Sequence, residues 1–327
     1  MLKIGNLDIQ YRAMLSPLAS LTDIAFRRLV DEIGGVGYMV TEMISAEGIR
    51  RKQAHTWEKI APFDFRTPQF IQLFGSQPDQ FVDAVKFIEN ETGFDGVDIN
   101  MGCPANKVVK KGAGAALLLN PPLAGRIVCE IKRASRLPLT VKIRLGYDKV
   151  DVLSIARVLD QEGVDALAVH FRLKTDGYRG LARWEYAPAI RGQIGCPLIG
   201  NGDIRTGEAA LARLDQVDGV MIGRGAVIDP LIFARVAGLS TGDAVPGWDT
   251  ARVLTRLLEL IAEHYPEKFR LNRIKAFGRF IFTGQVNGKR ARQAIYGAAT
   301  FDQARACVAE ILREAGAFSV SVRPGEE

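Results

Sequence analysis

One cysteine differs from the others in its sequence surroundings. Cys103 lies between a glycine and a proline, directly after a strand-like run, and Lys107, Lys110 and Lys111 follow it. Nearby positive charge lowers the pKa of a thiol from its usual value of about 8.5, and a thiol that titrates near neutrality can transfer one proton. We therefore predict that Cys103 is a general acid or base. A Cys–His acyl-transfer dyad with His170 is the alternative, although no histidine neighbours Cys103 in sequence.

A second group of polar residues stands within or at the end of apolar runs. Lys142 lies in the middle of such a run, where an unpaired buried ammonium is costly. It either pairs with a carboxylate such as Glu42 or Asp98, or it is held against an anionic ring such as the N1–C2=O edge of a reduced flavin. Amide and guanidinium donors that suit a flat heterocycle with carbonyl edges stand nearby: Gln72, Asn100 and Arg144.

Two glycine-rich turns follow the last two strand-like runs, at 200–203 (GNGD) and 223–225 (GRG). Backbone N–H groups in such turns can point at an anion, and Arg224 would neutralise it. Glycine also serves simply to make a turn tight, and that reading explains either turn alone equally well. Two such turns at adjacent strand ends favour a phosphate-bearing ligand.

These residues need a scaffold that gathers strand ends. Eight short apolar runs alternate with amphipathic stretches: 12–18, 37–44, 68–74, 96–101, 139–145, 166–172, 197–201 and 219–223. Runs that are apolar throughout are typical of parallel strands buried on both faces, and eight β-then-α units in about 240 residues indicate a TIM barrel, whose sites form at the carboxyl ends of the strands. A doubly wound sheet is the alternative, but it needs no eighth strand and usually opens with a glycine-rich turn.

The pattern changes after Pro246. Apolar residues recur at helical spacing in 251–264 and 302–315, and strand-like runs disappear. The segment 238–250 is the candidate linker. We predict three regions: a TIM-barrel catalytic domain over 1–240, a small helical domain over 241–318 and a loose tail over 319–327.

The composition is that of a globular protein. The 327 residues suffice for two domains, and 47% apolar and 24% charged residues argue against disorder or a fibrous repeat. No apolar run approaches the roughly 18 residues of a membrane helix, and the N-terminus lacks the apolar core of a signal peptide. Three histidines and no CxxC pair argue against a metal site. The remaining cysteines are interpreted as reduced packing thiols of a cytoplasmic protein: Cys129, Cys196 and Cys307.

The net charge of +6 is concentrated in one stretch. Between residues 268 and 292 there are eight basic residues and no acidic one, which leaves −2 for the rest of the chain. A basic stripe on a small helical domain beside a barrel mouth indicates RNA binding, whereas the plain alternative is a solvated helix face. The predicted RNA-binding residues are Lys268, Arg270, Arg273, Lys275, Arg279, Lys289, Arg290 and Arg292.

At these residues the sequence resembles the tRNA-dihydrouridine synthase family. The stretch 96–121, GVDINMGCPANKVVKKGAGAALLLNP, is similar to that family's signature almost position for position. The motifs QLFG, VKIRLG, HxR, GNGDI and MIGRGA match in order and spacing, and RIKAFGRF resembles the family's helical domain. The resemblance spans essentially residues 8–316, and the long strand-four motif is its most specific part.

The resemblance implies an FMN-bound barrel and a helical tRNA-binding domain, with no membrane, metal or obligate protein partner. The enzyme would reduce the C5=C6 bond of a specific uridine, in the D-loop of tRNA, with NADPH as reductant. Hydride from flavin N5 would reach C6, and Cys103 would protonate C5. The uracil would be held by Asn100, Lys142, Arg144 and Arg172. FMN would be lined by Ser16, Pro17, Leu18, Gln72, Lys142, His170, Asn201, Gly202, Asp203, Gly223 and Arg224. The target base would leave its stack to reach the barrel mouth.

Two positions depart from the family pattern. Leu18 ends a Ser-Pro-Leu triplet where the family usually has Ala-Pro-Met, and its apolar body can still pack on a flavin ring. Phe171 occupies the middle of the HxR motif, where a small residue is common. Because neighbouring residues of a strand face opposite sides, we expect the Phe171 ring to point away from His170 and Arg172.

Two other functions account for part of the sequence. A flavin barrel acting on a free dihydropyrimidine or a dihydroorotate-like metabolite would keep the phosphate turns but would not need the basic stretch. An RNA-binding protein that folds or anneals tRNA without turnover would need the basic stretch only. The intact set Asn100, Cys103, Lys142 and His170 argues against the second of these.

Overall fold

The computed structural model describes residues 1–53, 60, 64–238, 245–283 and 288–315. Its strands are β1 (Leu2–Ile4), β2 (Leu7–Ile9), β3 (Ala13–Leu15), β4 (Met39–Val40), β5 (Ile44–Ser45), β6 (Gln69–Phe74), β7 (Gly96–Asn100), β8 (Leu139–Gly146), β9 (Ala166–Leu173), β10 (Leu198–Asn201) and β11 (Gly219–Ile222). The barrel-domain helices are α1 (Ile24–Ile33), α2 (Ala46–Arg50), α3 (Pro78–Glu91), α4 (Asn106–Val109), α5 (Pro121–Ala134), α6 (Val152–Gln161), α7 (Ala187–Arg191), α8 (Gly207–Arg213), α9 (Arg224–Ile228) and α10 (Ile232–Val236). The C-terminal helices are α11 (Thr250–His264), α12 (Glu267–Gly278), α13 (Gly288–Gly297) and α14 (Phe301–Ala315).

The eight predicted runs form one closed barrel of parallel strands. Going round, β3 pairs with β4, then follow β6, β7, β8, β9, β10 and β11, and β11 pairs back onto β3. The predicted run 37–44 is divided, because β4 pairs with the first half of β6 and β5 with its end. The TIM-barrel prediction is confirmed, and an open doubly wound sheet is excluded by the closure.

The barrel strands are buried on both faces, as their apolar runs predict. One set of side chains packs outward against the helices, and the other fills the barrel. Phe171 belongs to the outer set: its ring lies 4.5 Å from that of Trp184, so it points away from the site, as expected. Gly200 makes this contact possible, because a Cβ there would stand 2.5 Å from Trp184 and 3.1 Å from Phe171.

A two-stranded hairpin that the sequence patterns did not reveal closes the amino end of the barrel. β1 and β2 pair antiparallel around Gly5, which has φ +58°. Leu2, Ile4 and Ile9 pack with the barrel-filling side chains, among them Tyr38. Strands of three residues are too short for a period-two pattern to be recognised. The hairpin keeps water out of the end of the barrel that lies opposite the strand carboxyl termini.

The C-terminal helices form a separate layer against α1. The predicted helical stretches 251–264 and 302–315 correspond to α11 and α14. The contact with the barrel combines Phe26 stacked on Phe277 at 5.7 Å with ion pairs between Arg256 and Glu32 at 2.8 and 2.9 Å. The predicted domain boundary at 240/241, the linker residues 239–244 and the tail 319–327 lie outside the described residues.

Within the described ranges, no helix has the length and apolar character needed to cross a membrane. The same residues contain no group of three or more His, Cys, Asp or Glu side chains arranged to hold a metal ion.

Candidate active site

One cavity at the carboxyl ends of the barrel strands collects the predicted site residues. Its lining includes Ser16, Pro17, Leu18, Gln72, Asn100, Cys103, Lys142, Arg144, His170, Arg172, Asn201, Gly202, Asp203, Gly223 and Arg224. The strand register explains why they meet. Asn100 lies opposite Lys142, Arg144 opposite His170, and His170 opposite Asn201. Residues two apart on a strand share a face, so successive strands supply side chains to the same end of the barrel interior.

The turn that carries Cys103 is held from several sides. The side-chain oxygen of Asn100 accepts hydrogen bonds from the backbone N–H of Gly102 at 3.2 Å and of Cys103 at 2.8 Å. Arg144 Nε donates to Gly102 O at 2.8 Å. Gly114, at φ +60°, lies close behind the turn, where a Cβ would stand 3.2 Å from Cys103 Cβ. The half-buried thiol therefore has a fixed place in the cavity wall.

A chain of side-chain hydrogen bonds leads from this turn into the barrel. Asn100 Nδ2 donates to Gln72 Oε1 at 2.9 Å, and Gln72 Nε2 donates to Asp98 Oδ2 at 2.7 Å. Thr140 Oγ1 donates to the other carboxylate oxygen at 2.6 Å. Burial raises the pKa of Asp98 to about 6, and the hydrogen bonds from Thr140 and Gln72 oppose that rise. The chain ends on a carboxylate with no exposed surface.

Lys142 forms no ion pair with either predicted carboxylate among the described residues. Asp98 is engaged by Thr140 and Gln72 instead, and Glu42 accepts the backbone N–H of Ser20. Lys142 Nζ donates to Asn201 Oδ1 at 3.2 Å. Burial and the neighbouring Arg144 lower the pKa of Lys142 to about 8. The nearby charge of Asp98 opposes this fall, but the ammonium group makes no ion pair with a carboxylate of the described residues.

His170 is held in one protonation state by its neighbours. Burial, then the positive charges of Lys142, Arg144, Arg172 and Arg224, hold its pKa well below the usual range. Arg172 Nη1 lies 3.3 Å from the Nε2 atom of His170. Because a guanidinium can only donate, the nitrogen that faces it is an acceptor. His170 is thus a neutral imidazole whose proton lies on its other nitrogen.

Arg172, a predicted uracil-binding residue, mainly supports the cavity wall. Its Nη2 atom donates to Asp203 Oδ1 and Oδ2 at 2.7 and 2.8 Å and to the carbonyl of Gly180. Arg144 is also engaged, because its Nη1 donates to the carbonyls of Leu173 and Gly177 at 2.9 Å each. Both guanidinium groups line the cavity, but most of their donors already have protein acceptors.

The two glycine-rich turns adopt backbone shapes that suit close approach of a ligand. Gly202 has φ +137° and Asp203 has φ +53°. At Gly225 a Cβ would stand 2.2 Å from Ile204 O, so the two turns touch and only glycine fits between them. The side chain of Arg224 is 35% exposed and lies over the ring of Tyr178 at 4.8 Å.

Sequence reasoning missed several residues of the cavity wall: Met43, Tyr178 and Arg205. Tyr178 is 53% exposed, and its ring faces Arg144 at 5.8 Å and Arg224 at 4.8 Å. It lies in the long loop after β9, in the sequence DGYRG. An aromatic residue between glycines at a barrel strand end is the signal that could have identified it.

The predicted RNA-binding residues fall into two groups on the structure. Lys268, Arg279, Lys289 and Arg290 are exposed. The others are partly buried, and three of them have structural partners. Arg270 Nε donates to Tyr265 O at 2.7 Å, Arg273 lies 3.5 Å from Asp23, and Lys275 Nζ donates to Ala298 O at 3.1 Å. Part of the basic stretch therefore holds the helical layer together and to the barrel.

Comparisons with known proteins agree with this geometry. The family described as dihydrouridine synthase (Dus) matches residues 14–315. A probable tRNA-dihydrouridine synthase 1 of Synechocystis is 38% identical over 240 residues, which cover 72% of this chain and 67% of the relative. A tRNA-dihydrouridine synthase B of Pseudomonas putida is 36% identical over 266 residues, which cover 80% of this chain and 78% of the relative.

Among solved structures, a 2-naphthoyl-CoA reductase complex has a TM-score of 0.57 at 11% identity, covering 72% of this chain and 51% of that one. A variant of NCR from Zymomonas mobilis has a TM-score of 0.50 at 19% identity, covering 73% and 91%. These two likenesses concern the fold alone. The family match extends from the first barrel strand to the last helix of the C-terminal layer, and the chain belongs to the dihydrouridine synthase family.

Proposed function

We propose that this protein is an FMN-dependent tRNA-dihydrouridine synthase that reduces the C5=C6 bond of one uridine in the D-loop of tRNA, with NADPH as reductant. Family membership supports the reaction class. One observation carries the proposal: the positively charged side chains of Lys142, Arg144, Arg172 and Arg224 line one cavity. Asp203 is the one acidic residue among the described residues that line it. A bound anion would balance this charge.

FMN fits the cavity in both charge and shape. The turns 200–203 and 223–225, the second of which contains Arg224, would hold the phosphate through backbone N–H groups and the guanidinium. Ser16, Pro17, Leu18 and Gln72 would line the ring. Lys142, which has no ion pair with a described carboxylate, would face the N1–C2=O edge, where a reduced flavin carries negative charge. His170, with one donor and one acceptor nitrogen, can bind a polar edge without adding charge.

The chemistry divides between the cofactor and the chain. When bound and reduced, with NADPH as the reductant, FMN would supply the hydride that adds to C6 of the uracil. Cys103 Sγ donates its proton to C5, and the resulting thiolate recovers a proton from solvent. Asn100 holds the turn that presents this thiol, and its second amide hydrogen, which faces the weak acceptor Met43 Sδ at 3.8 Å, could turn to a uracil carbonyl. Arg144 anchors the same turn and offers its remaining nitrogen to the substrate.

The exposed cations of the helical layer would bind the tRNA backbone while one base enters the barrel. Phosphate contacts position a nucleic acid without reading its sequence, and a base must leave its stack to reach a recessed thiol. We therefore assign Lys268, Arg279, Lys289 and Arg290 to tRNA binding. Arg270, Arg273, Lys275 and Arg292 are partly buried and would contribute less directly.

The decisive experiment is reduction of unmodified tRNA by the purified protein with NADPH, read out by mapping dihydrouridine. We expect a yellow protein that releases FMN on denaturation and modifies one D-loop position. Cys103→Ala should keep FMN and tRNA binding and lower uridine reduction by about 10²-fold or more, since a positioned general acid contributes roughly that factor. Cys129→Ala, at a thiol outside the cavity, is the matched control.

The competing assignment is a dehydrogenase of a free dihydropyrimidine or dihydroorotate-like metabolite. It predicts turnover of the free base at rates comparable with those on tRNA. We expect free uridine to be a far poorer substrate, because the helical layer cannot hold it. Efficient turnover of small pyrimidines together with no modification of tRNA would refute the proposed function.

A further inference from the structure

Asp98 is a buried carboxylate for which the proposed reaction has no role. It lies on β7, two residues before Asn100, and none of its surface is exposed. A buried carboxylate in a barrel interior is expensive, yet nothing in its position allows it to touch a ligand, since it does not line the cavity. Its contacts are Thr140 on one oxygen and Gln72 on the other.

The charge of Asp98 at one end of the chain and the backbone N–H donors of Gly102 and Cys103 at the other require the same direction for every hydrogen bond between them. An ionised carboxylate only accepts, so the NH2 group of Gln72 must face it, and Gln72 Oε1 then faces Asn100. Asn100 must donate to that oxygen from its own NH2 group, and its Oδ1 atom then faces the backbone N–H groups of Gly102 and Cys103. Each link has the required length, from 2.7 Å at Asp98 to 2.8 Å at Cys103.

Reversal of either amide would break the chain. If Gln72 alone turned over, its oxygen would face the carboxylate and its NH2 group would face that of Asn100. If Asn100 followed, its NH2 group would face the two N–H donors of the Cys103 turn. Unsatisfied buried groups of this kind are costly, so one orientation is selected throughout.

We propose that Asp98 is a positioning residue: its carboxylate sets which way the amides of Gln72 and Asn100 face, and Asn100 thereby holds the Cys103 turn in place. The importance of that turn for uridine reduction rests on the function proposed above. The hydrogen-bond argument itself concerns only this chain and holds with or without a bound cofactor.

Asp98→Asn tests the proposal, because an amide of the same shape no longer dictates the direction of the chain. The readout is the rate at which iodoacetamide alkylates Cys103 in the whole protein, followed by mass spectrometry with Cys129 as internal reference. We expect at least a threefold change at Cys103. In the FMN-loaded enzyme, uridine reduction should slow at least tenfold more than reduction of the flavin by NADPH.

Two further variants distinguish an effect of hydrogen-bond direction from a general loss of stability. Thr140→Val removes a partner of Asp98 but leaves the bond to Gln72, so Cys103 alkylation should stay within twofold of the parent even if the protein is less stable. The double substitution Asp98→Asn with Gln72→Glu reverses only the bond between residues 72 and 98: the new amide can donate to the new carboxylate, which still accepts from Asn100. Cys103 alkylation should return to within twofold of the parent.

The possible failures are distinguishable. If the parent protein forms no dihydrouridine but the alkylation rates follow the expected pattern, the proposed function fails and the positioning role stands. If Asp98→Asn matches the parent in both alkylation and uridine reduction, the positioning role fails. It fails equally if the double variant is no closer to the parent than either single variant, and this comparison remains available if one single variant does not fold.

Discussion

At the scale of single residues, the site is an arrangement of charges that the protein itself leaves unbalanced. Lys142, Arg144, Arg172 and Arg224 converge on one cavity, and burial together with their mutual repulsion lowers the pKa of several of these groups. Among the described residues, Arg172 forms a short ion pair with Asp203 at 2.7 Å, and Arg224 lies 4.0 Å from the same carboxylate. Such a cavity is destabilising by itself and favourable once an anion enters, which is the usual exchange of stability for function at a binding site.

Replacing Lys142 allows the loss of stability caused by one of these charges to be measured. Its pKa in the folded protein, about 8, lies below the ordinary value of 10.5, so folding disfavours the charged form. The parent protein should therefore lose stability relative to Lys142→Met as the pH falls from about 10 to about 8. In FMN-depleted protein we expect the Met variant to be more stable at pH 7 by on the order of 1–2 kcal/mol.

Urea unfolding of both proteins at pH 7.5 and 9.5 checks this expectation. The same variant should bind FMN at least tenfold more weakly, measured by flavin fluorescence. Equal stability of the two proteins at both pH values would show that the ammonium is compensated by a partner other than Asn201.

At the scale of elements, the barrel depends on close contacts between its strands and their outer helices. β10 is a clear case, because Phe171 and Trp184 pack directly over Gly200. Trp184 also donates from Nε1 to Gly202 O at 3.0 Å, so the packing layer is connected to the turn 200–203. A side chain at Gly200 would therefore disturb both the sheet and the end of β10.

Gly200→Ala should destabilise the protein by about 1–3 kcal/mol, since overpacking a filled interior forces side chains off their rotamers. We also expect weaker FMN binding, through displacement of the turn 201–203. Gly93→Ala is the matched control, because a Cβ there would meet nothing within 4 Å. Chemical denaturation of the two variants measures the difference; a similar loss in both would contradict the packing argument.

At the scale of the whole molecule, the helical layer is fixed to the barrel near the entrance of the site. Asp23 caps α1, accepts from the Tyr265 hydroxyl at 2.9 Å and lies 3.5 Å from Arg273. Arg256 adds ion pairs to Glu32. These contacts set the position of the exposed cations relative to the cavity, and hence the geometry in which a polyanion can lie across both.

Charge reversal at Arg279 and Lys289 should weaken tRNA binding, because both are exposed and neither holds the layer together. We expect roughly tenfold lower affinity at about 0.15 M salt and a salt dependence reduced by about two phosphate contacts. The pair Lys3→Glu and Lys86→Glu, at exposed lysines on β1 and α3, changes the net charge equally and is the control. Filter binding across a salt series gives both quantities, and unchanged affinity would reduce the basic stretch to a solvated helix face.

Much of this protein can be read from its sequence, because its information is local. Eight apolar runs predict the barrel, and motifs at the strand ends predict the residues of the site. A stretch with eight basic residues and no acidic one predicts the basic surface. The short strands β1 and β2 and the loop residue Tyr178 gave no comparable signal. The sequence also did not predict which residues contact one another across neighbouring strands, because the register between strands is set only in the closed sheet.

Only the tertiary structure determines which polar and charged side chains form hydrogen bonds and ion pairs with one another. The sequence allowed Lys142 to pair with Asp98, but in the barrel Asp98 accepts hydrogen bonds from Gln72 and Thr140, and the Lys142 ammonium group donates to Asn201. It also divides the basic stretch into exposed cations and residues such as Lys275 that hold the helical layer. The sequence determines which groups are present and on which elements. Their charge balance depends on distances between elements far apart in the chain, and only the packed molecule sets those.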